Sequence, residues 1–181
     1  MKRVMALLML LHAAGFVYAG SSDADQSRAE AAIEAFSGQL KASLVAAMSS
    51  AGPVAAIEVC RDRAPAIAAE VSAGHGLTVS RVTDRARNPN NAASTWQAEV
   101  LAEWATQQAA GVDLAQVEYF AATPAGGFRY MKPIVVQSVC LACHGGTVSP
   151  EVRDALARSY PDDSATGYAA GDLRGAFVVE Q

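Results

Sequence analysis

Cysteine and histidine are scarce in this chain: three of each stand among 181 residues. Three thiols are an odd number, so an all-disulfide framework would leave one thiol over. Basic side chains are also few. Fourteen Lys and Arg face eighteen Asp and Glu, a formal charge of -4. That balance argues against nucleic acid or an anionic membrane surface as a partner. No internal repeat and no long linker interrupts the chain, which leaves a single domain as the expectation.

What is present first is a leader. Lys2 and Arg3 precede a mostly apolar run over residues 4–16, and "VYA" ends at Ala19 with small residues at cleavage positions. Residues 1–19 therefore read as a secretory signal peptide. The run is shorter than the ~20 apolar residues of a comfortable membrane span, and no other segment is expected to span. The predicted product is a soluble periplasmic protein, residues 20–181, with no membrane contact after cleavage. Lys2 and Arg3 leave with the leader, so 12 basic and 18 acidic side chains remain, a formal charge of -6. The remaining 162 residues suffice for one domain with a core.

Periodicity sketches an α+β domain, a few antiparallel strands with helices before and between them. Ile33, Phe36, Leu40, Leu44 and Met48 form one helical stripe, which Gly52 and Pro53 end. Pro53 opens a second helix, "PVAAIEVCRDRA", with Ala56, Ile57, Cys60 and Ala64 on one inward face. Residues 77–83 alternate as a strand, and "RNPNN" follows as a loop. A third helix opens at Ser94, which with Gln97 resembles a capping box; Trp96, Val100, Leu101 and Trp104 are its apolar face. "VEYFAATPAGGFRYMKPIVV" reads as a hairpin with "PAGG" at its tip. "SPEVRDALARSY" is a helix capped by Ser149 with Pro150 at its first position, and "RGAFVVE" is a last strand.

Chemistry concentrates in "SVCLACHGGT". Cys140 and Cys143 are spaced C-x-x-C and His144 follows at once. This is the attachment pattern of a c-type haem: two thiols reach two vinyl groups and the histidine binds iron from below. Export adds weight, because that is where such haem is assembled. Competing readings are a thioredoxin-like redox pair, which belongs in a βαβ setting, and structural zinc held by Cys60, Cys140, Cys143 and His144. One covalent haem c is the expectation, with His144 as proximal iron ligand.

Few groups are left for the other face of the iron. They are His75 in "AGHGL", which reads as a turn, Met48 and Met131, which read as core, and Cys60. A lone thiol in an oxidising compartment is a liability unless it is buried or coordinated. Arg61 and Arg63 beside Cys60 add positive field. "SRVTDRAR" gathers Arg81, Arg85 and Arg87 in an otherwise acidic protein. Guanidinium groups pair with carboxylates through two parallel hydrogen bonds, so these three are candidates for the haem propionates.

These blocks also resemble a family. "AIEVCRDRAPAIA", "SRVTDRARNPNN", "FRYMKPIVV", "CLACHGG" and "YPDDSATGYAAGDLRGAFVV" run in one order from about Ala31 to Val179. They are similar to the c-haem-binding PAS-like domains that many bacterial and cyanobacterial genomes carry as a domain of unknown function. Ala92 and Ala93 stand where that family has a proline and an acidic residue. The resemblance implies a PAS-like antiparallel sheet with N-terminal helices. It also implies that Cys60 is the distal iron ligand opposite His144.

An axial thiolate donates electron density and favours ferric iron, so a low reduction potential is expected. Two filled axial positions leave no open site, which argues against an enzyme and against a haem peroxidase in particular. The reading is a redox or gas sensor for NO or CO, with a low-potential electron-transfer cytochrome as the alternative. The chain ends on "FVVEQ" without a signalling segment, so either role requires a redox or signalling protein partner.

Overall fold

A computed structural model describes residues 19–181. The expected leader, residues 1–19, lies outside the described residues but for Ala19. Four strands, β1 (Thr78–Val82), β2 (Tyr119–Ala122), β3 (Phe128–Val135) and β4 (Leu173–Glu180), form one antiparallel sheet in the order β1-β4-β3-β2. Helices α1 (Ala19–Glu58) and α2 (Ala64–His75) precede it, α3 (Thr95–Ala109) lies between β1 and β2, and α4 (Leu141–His144) and α5 (Pro150–Ser159) lie between β3 and β4. This is the α+β architecture expected from the sequence.

Both faces of the sheet are covered, and the strand sequences say why. Tyr130 and Met131 are adjacent and fully buried, as are Val178 and Val179. Successive side chains on a strand point to opposite faces, so apolar neighbours need a layer on each side. Tyr130 and Val179 pack against Ile33 and Phe36 of α1 and Ile67 and Val71 of α2. Met131 and Val178 pack against Leu101 and Trp104 of α3. Each such side chain taken out of water contributes about 1.5–3 kcal/mol before entropy is counted.

The caps fall where the residues place them. Ser94 and Gln97 form a reciprocal capping box, with the Ser94 amide donating to Gln97 Oε1 at 2.9 Å. Ser149 Oγ accepts from the Val152 amide at 3.4 Å, with Pro150 at the first helical position. The β2–β3 hairpin closes through the Thr123 amide on the Gly127 carbonyl, 2.8 Å.

Helix α1 contains the break expected at Gly52, whose φ of 78° and ψ of -175° suit glycine alone. The next helix does not end at Ala64. It passes through one π-helical turn, Val59–Arg63, and continues as α2 to His75. Pro65 has no amide hydrogen for an ordinary helical bond. The wider turn lets the Ala64 amide reach the Val59 carbonyl instead, and Pro65 then stands at the start of α2. His75 consequently ends a helix, capped by left-handed Gly76, rather than sitting in a loose turn.

The apolar stripe of α1 divides. Ile33, Phe36 and Leu40 are core, whereas Leu44 and Met48 are half-buried and line a cleft. Met48 is therefore not the core residue expected. Met131 is, at 0% exposure. A window within Ser22–His75 also reaches a mean hydropathy of 1.5, apolar and long enough to span by composition alone. This departs from the expectation of a single apolar run.

Candidate functional site

The cleft opens between the α1–α2 junction, the C-terminal end of β3 and the C-x-x-C-H segment, and encloses about 1000 Å³ that includes open solvent. Its walls are mostly apolar. Four chemistry-bearing side chains face into it: Cys60 from the π-helical turn, Cys140 and Cys143 from the motif, and His144 at the end of α4. They come from positions eighty residues apart in the chain, brought together by the fold.

The motif is built as a short 3₁₀ turn, Ser138–Cys140, running into α4. One helical turn sets Cys140, Cys143 and His144 on the same side. Gly145 then leaves so close to α4 that a Cβ there would stand 2.7 Å from the Leu141 carbonyl oxygen. Residues 165–168 brace the motif from outside the cleft. The Tyr168 amide donates to the His144 carbonyl, and the Gly167 amide to the Gly145 carbonyl, each at 3.0 Å.

His144 Nδ1 lies 2.7 Å from the Ala165 carbonyl oxygen. A carbonyl only accepts, so Nδ1 carries the hydrogen and Nε2 carries the free lone pair. The Tyr168 ring meets the imidazole edge-on, with centroids 6.4 Å apart. Burial, and then the guanidinium groups of Arg87 and Arg174, push the His144 pKa down to about 3. The imidazole is thus neutral at ordinary pH, the form that binds metal. Burial pushes the Cys143 thiol up, opposed by Arg87. All three cysteines are free thiols.

Among the described residues, no three His, Cys, Asp or Glu side chains converge as a metal-binding group. The thiols and the imidazole are spread along the cleft walls, which suits a flat ligand better than a single small ion. His75 and Met131 do not line the cleft, and no carboxylate or second histidine does among the described residues.

The arginines divide. Arg81 lines the cleft, its guanidinium 5.6 Å from the Phe36 ring centroid. Burial pulls it below its usual pKa, opposed by Cys60 and Tyr160. Arg85 is exposed and does not line the cleft. It donates to the carbonyls of Ser164 and Thr166 and lies over the Tyr168 ring at 4.5 Å. Arg87 is 8% exposed and fully engaged: it pairs with Asp163 at 3.0 Å and donates to the Cys143 carbonyl at 2.6 Å. It clamps the motif to the bracing segment. Arg61 is held by Asp62 at 2.8 Å on the surface, so the cation that bears on Cys60 is Arg81, on another element.

Two cleft residues escape a reading of the sequence. Tyr160, the C-cap of α5, is 6% exposed and lines the cleft. Arg174, at the head of β4, reaches into it as well. A lone cation heading an apolar strand is the signal that would have marked Arg174.

A family model described as Tll0287-like matches residues 19–181. A solved structure titled as the crystal structure of the cyanobacterial heme-protein Tll0287 superposes with a TM-score of 0.64 at 26% identity, covering 87% of this chain and 94% of that one. No curated protein matches.

Proposed function

The chain belongs to the Tll0287-like family, and from that premise we propose that it is a haem-binding protein, an exported carrier of one haem c that serves as a redox or gas sensor. Cys140 and Cys143 hold the haem through thioethers, His144 is the proximal ligand and Cys60 the distal one. The observation that carries the reading is that these four side chains line one cleft. The similar solved protein is itself titled a heme-protein.

The residues fit such a group. The walls are apolar, as a macrocycle requires, and the cleft presents cations without lining carboxylates. His144 offers Nε2 because Ala165 holds Nδ1. When bound, the haem supplies one-electron chemistry and, if an axial position is vacated, a seat for NO or CO.

Sensing is favoured over electron carriage by the turn that bears Cys60. A π-helical turn is a rare irregularity that frequently sits at functional sites. Loss of an iron–sulfur bond at this turn would leave Cys60 and α2 free to shift, the kind of two-state element a sensor needs. A carrier is better served by ligands that stay in place.

The test is purification after export in a host that matures cytochromes c. A pyridine haemochrome spectrum and intact mass should show one covalent haem on a chain lacking residues 1–19. A colourless protein sinks the reading.

A further inference from the structure

Three guanidinium groups face the cleft, and their neutralisation is uneven. Arg87 has its carboxylate, Asp163, with both side chains about nine-tenths buried. Arg174 donates to neutral oxygens, Thr83 Oγ1 at 2.9 Å and the Arg85 carbonyl at 3.2 Å, and lies 5.3 Å from the Tyr168 ring centroid. Arg81 has no side-chain hydrogen bond or ion pair among the described residues. No carboxylate lines the cleft there. Two cations thus stand in a largely apolar cleft without counter-charge. Both are part-buried, and a partly desolvated charge left unpaired is costly, so such an arrangement favours an anion from outside.

The two cations are neighbours. Arg81 lies on β1, and Arg174 on the adjacent strand β4 reaches Thr83, two residues beyond Arg81. Thr83 is 4% exposed and its hydroxyl also donates to the Arg174 carbonyl at 2.8 Å, so the guanidinium is held rather than free to swing into solvent. Burial pulls Arg174 below its usual value, and Arg87 and Arg81 add repulsion.

We propose that Arg81 and Arg174 are the paired carboxylate anchors of this cleft, each taking one propionate of the haem. The assignment rests on the haem reading above and replaces the trio of Arg81, Arg85 and Arg87 expected from the sequence. Arg85 is committed outside the cleft and Arg87 to Asp163. Charge balance supports a dicarboxylate. A ferric iron is offset by the porphyrin dianion and one thiolate, which leaves the two propionates for the two unpaired guanidinium groups. Each propionate then receives a charge-assisted and, from arginine, planar two-point contact.

The test uses the exported holoprotein and its variants Arg81→Gln, Arg174→Gln and, as a control outside the cleft, Arg85→Gln. The thioethers do not depend on these residues, so each variant keeps its haem. The propionate bending bands in the resonance Raman spectrum should shift in Arg81→Gln and in Arg174→Gln, and stay in place in Arg85→Gln. The reduction potential is expected to be flat across neutral pH in the wild type and to gain a pH-dependent segment in both cleft variants as the released propionate titrates. A role in folding alone would lower Tm without moving either readout. Arg174 also supports Thr83, so Arg81→Gln, which loses no internal hydrogen bond, keeps the proposal testable if Arg174→Gln misfolds. Covalent haem with unmoved bands and a flat profile in the cleft variants overturns the anchors alone. Absence of covalent haem in the wild type overturns the haem reading and this proposal together.

Discussion

At the scale of single residues, the side chains of this cleft are separable by what they are bound to. Cys60→Ala removes the proposed distal ligand and leaves both thioethers untouched, so covalent haem should persist while the ferric spin state changes and the potential rises. An unchanged Soret band and potential would exclude Cys60 as ligand. Tyr130 is a residue whose role is stability. Fully buried, its hydroxyl donates to Glu118 at 2.6 Å. Burial, and then Glu118, raises its pKa far above the usual value of 10.0. The folded state therefore keeps a proton that the unfolded chain releases, so this contribution is present below pH 10 and is lost as pH rises beyond it. Tyr130→Phe should cost about 1 kcal/mol at neutral pH. Above about pH 10 its Tm should fall less steeply than that of the wild type. Equal slopes in a thermal-melt series would refute the assignment.

At the scale of elements, the helical stretch before the sheet is organised by two irregularities. Gly52 turns the chain in a conformation that costs other residues about 1–3 kcal/mol. Gly52→Ala should lower stability in urea by that amount, with no change in the haem spectrum because Gly52 does not line the cleft. The second irregularity is the π-helical turn carrying Cys60. If it is the moving part, CO added to the reduced protein should bind quickly in the wild type. Binding confined to Cys60→Ala would mean that the ligand stays on reduction, and the electron-carrier reading would then be the better one.

At the scale of the whole molecule, the cleft is a seam between the α1–α2 layer, one end of the sheet and the motif with its bracing segment. Unfilled, such a seam leaves apolar walls without partners. A haem tethered by thioethers stays on the chain in both states, but its contacts with the apolar walls and its axial bonds would form only in the folded one, and these favour that state. The double variant Cys140→Ser, Cys143→Ser, which cannot attach haem, should therefore melt below the holoprotein by several degrees. Equal melting temperatures would mean that the cleft is rigid without its ligand.

Much of this was legible in the residues because it depends on neighbours in the chain. Helix stripes, the Ser94 and Ser149 caps, the Gly52 break, the hairpin and the spacing of Cys140, Cys143 and His144 are all short-range patterns, and the sequence determined them by itself. The division of the α1 stripe was not legible, since Leu44 and Met48 look like Ile33 and Phe36 until the cleft exists. Nor was the course of the chain through Pro65, because continuing a helix past a proline depends on a π turn that local propensity disfavours. The arginines show the limit most clearly. Arg81, Arg85 and Arg87 look equivalent within one short segment, yet strand alternation, the loop after β1 and Asp163, seventy-six residues away, send them to three different fates. Arg174 joins Arg81 only because β4 pairs with β1. Which cation meets which carboxylate is a matter of distance in space, and Coulomb interactions inside a low-dielectric fold act between groups that the chain keeps far apart. That choice belonged to the tertiary structure.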